Sequence, residues 1–200
     1  MAKKSFKLSW KFYSIFGKGR KKGEKLKTIH YQLAASLQKI VENTIINMIH
    51  WTTTNTINII QNLQPINDTD FTEHLENLTI DYINRGALGY AQYALEYPLK
   101  DKIICVDYAR RKVKFKDKNN NVITDPEMSQ LGTQFFQSIK DKNTKLINEQ
   151  GMKLKEKFGD EFTKIAELLE VENAVSKAAN GEKGDFHQEF VKNVCSKIVI

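Results

Sequence analysis

Two cysteines and four histidines are the residues best able to do metal or nucleophilic chemistry, and their spacing assigns them none. Cys105 and Cys195 stand ninety positions apart in apolar surroundings, with no CxxC pair. They read as reduced core thiols of an intracellular protein. His30, His50, His74 and His187 are dispersed, each within a helical pattern, and none has a second histidine or a carboxylate four residues on. No G-x-S-x-G nucleophile turn occurs. Gly17-Lys18-Gly19 and the Gly86/Gly89 pair do not follow a strand into a helix, as a phosphate loop must. Glu73, Glu76, Asp101 and Asp107 form no spaced acid/base pair. The expectation is a non-enzymatic protein with no catalytic residue, no metal and no cofactor.

What chemistry remains is charge. Residues 1–27 hold nine lysines and Arg20 against the single Glu24, a net charge of +9. The whole chain carries +7, so residues 28–200 carry −2. A segregated positive segment attracts phosphates or anionic headgroups, and the attraction weakens with salt. Lys3, Lys4, Lys18, Arg20, Lys21 and Lys22 are therefore candidate nucleic-acid contacts. The same arm carries Phe6, Trp10, Phe12 and Phe16, aromatics among lysines that suit docking on a membrane surface or a partner. It could also complete the core of its own chain or of an oligomer, leaving a solvated basic linker behind it.

A second basic group lies at Arg110, Arg111, Lys112, Lys114 and Lys116. In a strand the three lysines alternate with Val113 and Phe115 and share one face. They could track a phosphate backbone, or guard an exposed sheet edge against aggregation.

The elements that must position these groups follow from periodicity. Residues 25–63 predict one long helix, or two in series, with Leu26, Ile29, Leu33, Leu37, Ile40, Val41, Ile45 and Met48 at three- and four-residue steps. Trp51-Thr-Thr-Thr-Asn-Thr56 is the expected kink or break, because β-branched residues lower helix propensity. Pro65 closes the element. A helix from Asp68 or Thr69 to about Arg85 and a short one to Tyr97 follow. Strands at 102–108, 112–116 and 122–124 form a meander with turns at Ala109-Arg110-Arg111 and at Asp117–Asn121. Asp125 and Pro126 then start a helix, with interruption expected near Gly151 or Gly159, and Asp185 caps the last one. The fold class is mostly α with a small antiparallel β meander (α+β), a long N-terminal helix and C-terminal helices. The domain reading is a basic arm, 1–27, on a single helical domain, 28–200, with the meander at about 102–124.

The meander also carries a resemblance. Asp107-Tyr-Ala-Arg110-Arg-Lys112-Val113-Lys114-Phe115-Lys-Asp117 fits the pattern D-x-x-R-x-K-[IV]-K-[YF]-x-D. Residues 104–145 thereby resemble a hairpin–helix region of uncharacterised proteins of large DNA viruses and phages. Those relatives often carry an upstream Cys/His cluster, which this chain lacks. The resemblance implies a viral source and no activity, and rich use of Asn, Ile and Lys suits it. The function expected is that of a viral or phage accessory protein binding nucleic acid through its arm. The alternative is a structural or assembly protein whose arm docks on a membrane or partner subunit. The apolar surface of the long helix suggests a homo-oligomer joined by helix packing. Lys7 and Lys11 interrupt the N-terminal apolar residues, and no run approaches the ~20 residues of a span. Residence in the host cytoplasm or virion is expected.

Overall fold

The computed structural model describes the backbone of residues 20–158 and 162–199, and the side chains of all of these but 20–28, 52, 157, 158 and 162. Helix α1 (Arg20–Asn62) comes first, and short turns of helix follow: α2 (Asp70–Glu73), a 3-10 turn (Leu75–Asn77) and α3 (Ile80–Ile83). Then come α4 (Gly86–Glu96), strands β1 (Ile103–Asp107), β2 (Lys112–Lys116) and β3 (Val122–Pro126), and helices α5 (Ser129–Phe158), α6 (Phe162–Ala179) and α7 (Asp185–Ile198). The expected class, mostly helical with a small antiparallel meander, is what the chain adopts. It divides between Thr54 and Asn55 into two units.

Helix α1 runs without interruption through Trp51–Thr56, where a kink or break was expected. Thr53 donates its hydroxyl to the Ile49 carbonyl (2.8 Å) and Thr54 to that of His50 (2.9 Å). A hydroxyl that bonds the carbonyl four residues back is accommodated inside a helix.

The second unit is built on buried aromatics. Phe135 stacks on Phe190 with ring centroids 5.3 Å apart, and Phe136 meets Phe190 edge-on at 4.8 Å. Tyr90 and Tyr93 of α4 close the cluster, and all five are fully buried. Helices α4 and α7 pack together, as do α5 and α6. The sheet, in order β1-β2-β3, lays Val113, Phe115, Ile103 and Cys105 on this core. Ile104 joins Ile60 and Leu63, from the end of α1 and just after it, in a separate small cluster.

Several local expectations are corrected. The helix foreseen from Asp68 to Arg85 is broken, because Leu78 and Thr79 are extended. Leu78, 1% exposed, enters the core from that extended backbone. Neither Asp68 nor Thr69 caps α2. Thr69 makes no capping bond, and Asp70 instead accepts from the Asn67 amide (2.7 Å) while pairing with Lys102 (2.6 Å). Asp125 does cap α5, accepting from the Gln130 and Leu131 amides, but Pro126 belongs to β3 rather than to the first turn. Helix α5 passes through Gly151 without interruption and is described to Phe158, and Gly159 lies outside the described residues. Gly184, not Asp185, occupies the N-cap of α7, and Asp185 lies within the first turn, where its charge suits the helix dipole.

Candidate functional site

The cationic groups divide into those that the fold consumes and those that it leaves available. Lys3, Lys4, Lys18, Phe6, Trp10, Phe12 and Phe16 lie outside the described residues. Arg20, Lys21 and Lys22 open α1, whose first turn holds no acid. Their side chains lie outside the described ones, so what recommends them is the charge of the segment they belong to.

The hairpin is different. Its lysines belong to β2, the central strand, so the edge-guarding explanation is overturned: β2 pairs on both sides, Lys114 standing between Ile104 and Thr124. Lys116 donates from Nζ to the Gln61 carbonyl (2.7 Å), one of the last orphan carbonyls of α1. Arg111 reaches the Gln188 carbonyl (3.4 Å), and Arg110 pairs with Asp107 (3.5 Å). Lys118 pairs with Asp68 (3.2 Å). Lys112 and Lys114 are half-buried on the sheet face opposite Val113 and Phe115. Of the strip that spacing placed on one face, Lys116 is therefore engaged with the protein itself, as are Arg110, Arg111 and Lys118 around it, while among the described residues Lys112 and Lys114 are not.

The fold also brings together groups that spacing could not. Cys105 of β1 and Cys195 of α7 are both fully buried and free, and they neighbour one another. Burial, with Cys105 beside it, pushes the Cys195 thiol up to about 12. It is held protonated, which disarms it as a nucleophile. No signal in the sequence pairs positions so far apart.

A strained joint lies between β3 and α5. Glu127 and Met128 both adopt left-handed backbone, with φ of 57° and 48°, which costs of order 1–3 kcal/mol per residue unless surroundings fix it. They are fixed here. The Glu127 amide donates to the Arg111 carbonyl (2.9 Å), its carboxylate pairs with Lys183 (2.9 Å), and Met128 is fully buried. His187 Nε2 lies 3.0 Å from the Glu127 carbonyl, so that nitrogen carries the proton. The Lys183 ammonium holds the Glu127 carboxyl below its ordinary range, and burial lowers His187. Gly132 closes the joint: a Cβ there would meet His187 Cε1 at 2.9 Å.

Elsewhere a cleft of about 270 Å³ between α5 and α6 is lined by Lys140, Asn143, Thr144, Glu172, Asn173 and Ser176. Asn143 accepts from the Tyr90 hydroxyl through Oδ1, and its buried Nδ2 finds no protein acceptor. Among the described residues no three His, Cys, Asp or Glu side chains could share a metal ion, and no helix is long and apolar enough to cross a membrane.

Among the described residues, α1 carries a long series of exposed apolar side chains. Leu33 and Ile40 are each 59% exposed, and Ile29, Leu37, Val41 and Ile45 are exposed likewise. Large apolar residues scattered singly on a surface are ordinary, but a continuous set along one helix marks an interaction face. The chain matches no protein-family model, no curated protein and no solved structure.

Proposed function

We propose that this is a non-enzymatic accessory protein, viral or phage in origin, that binds nucleic acid through its basic N-terminal segment. The observation that carries the reading is the separation of charge: +9 on residues 1–27 against −2 on the rest. Binding is phosphate-driven and weakly sequence-specific. Of the hairpin cations, Lys112 and Lys114 are the ones with no protein partner among the described residues, and they extend the contact. The viral origin rests on the resemblance at residues 104–145, and residence in the host cytoplasm or the virion goes with it.

The test is fluorescence anisotropy of the full chain on DNA and RNA of equal length across a salt series. With about six phosphate contacts, affinity falls roughly 10³-fold between 50 and 200 mM salt. Replacing Lys3, Lys4, Lys18, Arg20, Lys21 and Lys22 by glutamine abolishes that slope. Binding that keeps its slope in this variant removes the segment from the function.

A second reading, a structural or assembly protein docked on a membrane surface or a partner subunit, is favoured by the exposed apolar residues of α1. Liposome binding that is lost on Trp10→Ala, with no nucleic-acid binding, would select its membrane form.

A further inference from the structure

We infer that α1 joins copies of this chain into a bundle of three or more helices, burying the exposed arc centred on Leu33, Leu37, Ile40 and Val41. The inference rests on the assembly reading above and names its partner, a second copy of the same helix.

The argument begins with length. A helix of 43 residues is about 64 Å long at 1.5 Å per residue, several times the ~12-residue mean of globular proteins. In water, most helical stability comes from packing an apolar face rather than from propensity. Residues 29–59 hold the exposed apolar side chains, so the packing that this helix lacks must come from outside its own surface.

Charge then selects the partner. A solvated helix is normally laced with charged residues, yet residues 28–62 contain only Lys39 and Glu42. Residues 28–62 are neutral, so repulsion between copies is confined to the basic residues before them, where salt screens it. The polar side carries a stripe of Gln32, Ser36, Lys39, Asn43, His50 and Thr54, at four-, three- and seven-residue steps, with the hydrogen-bonded pair Gln38 and Glu42 beside it. A helix lying in a lipid interface wants a strongly basic polar face, and this stripe has the single cation Lys39. Lipid is the poorer cover, and another α1 the better one.

Width sets the number of copies. At ~100° per residue, Ile29 and Ile45 bound an arc of about 160° that also contains Leu33, Leu37, Ile40 and Val41. A two-stranded coiled coil covers only the narrower a/d seam. An arc this wide touches two neighbours at once, as in a bundle. Thr44 falls inside the arc and donates its hydroxyl to the Ile40 carbonyl (2.7 Å), so it enters a dry seam already satisfied.

Sedimentation equilibrium of the full chain, free of nucleic acid and in 1 M NaCl, tests this separately from phosphate binding, which that salt suppresses. The expected mass is three or more times 23.1 kDa. The mass of one or two chains at 100 µM overturns the proposal, as does a single-chain mass with co-sedimentation on neutral phosphatidylcholine vesicles. Leu37→Glu, inside the arc, is expected to give single chains, while Asn43→Glu, on the stripe, keeps the higher mass. Equal behaviour of the two overturns the assigned face. Near-ultraviolet dichroism of the Phe135/Phe190 core reports folding in both. Should Leu37→Glu lose that signal, Ile40→Gln carries the same comparison.

Discussion

Residues 29–54 of α1 and the unit from Asn55 onward use similar apolar side chains to opposite ends. In the second unit Phe135, Phe136, Phe190 and Tyr90 interlock, and each shows no exposed surface. Along α1 the isoleucines and leucines face outward, more than half of Leu33 and Ile40 included. Hydrophobic burial is non-directional, so residue type alone does not say against what a side chain packs. In the second unit several elements of one chain converge and close a core locally. Residues 29–54 leave theirs exposed, and on the inference proposed above that surface is stability held in reserve for association.

The contrast is broken most severely from the core side. Phe135→Ala removes a ring that stacks on Phe190 and touches Phe136 and Tyr93. It is expected to cost about 3–5 kcal/mol, read as a lower urea midpoint by near-ultraviolet dichroism. A loss below ~1 kcal/mol would mean that the cluster is not close-packed, and the contrast with α1 would fail. Gly132→Ala comes next. Its methyl would press within 2.9 Å of His187 Cε1, and overpacking of this sort costs about 1–3 kcal/mol. An unchanged urea midpoint would show that the joint between β3, α5 and α7 yields.

What the sequence could reveal divides along the same line. The long helix and the meander were legible, because three- and four-residue steps and an alternating Lys112–Lys116 reflect local geometry alone. Asn120, at φ 65°, takes the left-handed turn position that asparagine tolerates. The break at Leu78 and Thr79 was not legible. Leu75, Leu78 and Tyr82 keep helical spacing whether or not the backbone between them is helical, and tertiary packing decided against it. Nor could spacing show that Lys116 would bind the end of α1, or that Cys105 would adjoin Cys195. Both depend on contacts between residues more than fifty positions apart. The basic segment was plain in composition, whereas a shared face could not show that Lys116, of the three hairpin lysines, is the one held by a neighbouring carbonyl.

The end of α1, past Asn55, offers a smaller effect. Lys116 donates to the Gln61 carbonyl, where a cation complements the negative end of the helix. Lys116→Met keeps much of the aliphatic stem and removes the charge, and is expected to cost about 1 kcal/mol. Hydrogen exchange should then quicken at Ile59, Ile60 and Gln61 and stay unchanged in α7. Uniform quickening would show that this contact serves the whole unit rather than the end of α1.

The least disruptive probe is the proton, and it acts at one buried side chain. His187 sits below its ordinary value of 6.5, chiefly because burial disfavours the imidazolium, with Lys183 adding to that. The Glu127 carbonyl, the Glu127 carboxylate and Asp125 face it and pull the other way without winning. The unfolded chain therefore binds a proton near pH 6.5 that the folded chain still refuses. Stability from this group is fully present above that pH and is lost as pH falls from 6.5 toward the folded value. The lowered carboxyls of Glu76, Glu96, Glu127 and Asp117 have ordinary values of 4.5 and, for the aspartate, 3.8, so their losses begin at lower pH than that of His187. Urea midpoints at pH 7.5, 6.5 and 5.5 should decline in the wild type and decline less in His187→Gln, whose amide can still donate to the Glu127 carbonyl. Parallel declines would show that the joint admits the imidazolium, and that this part of the second unit is as open to water as the exposed face of α1.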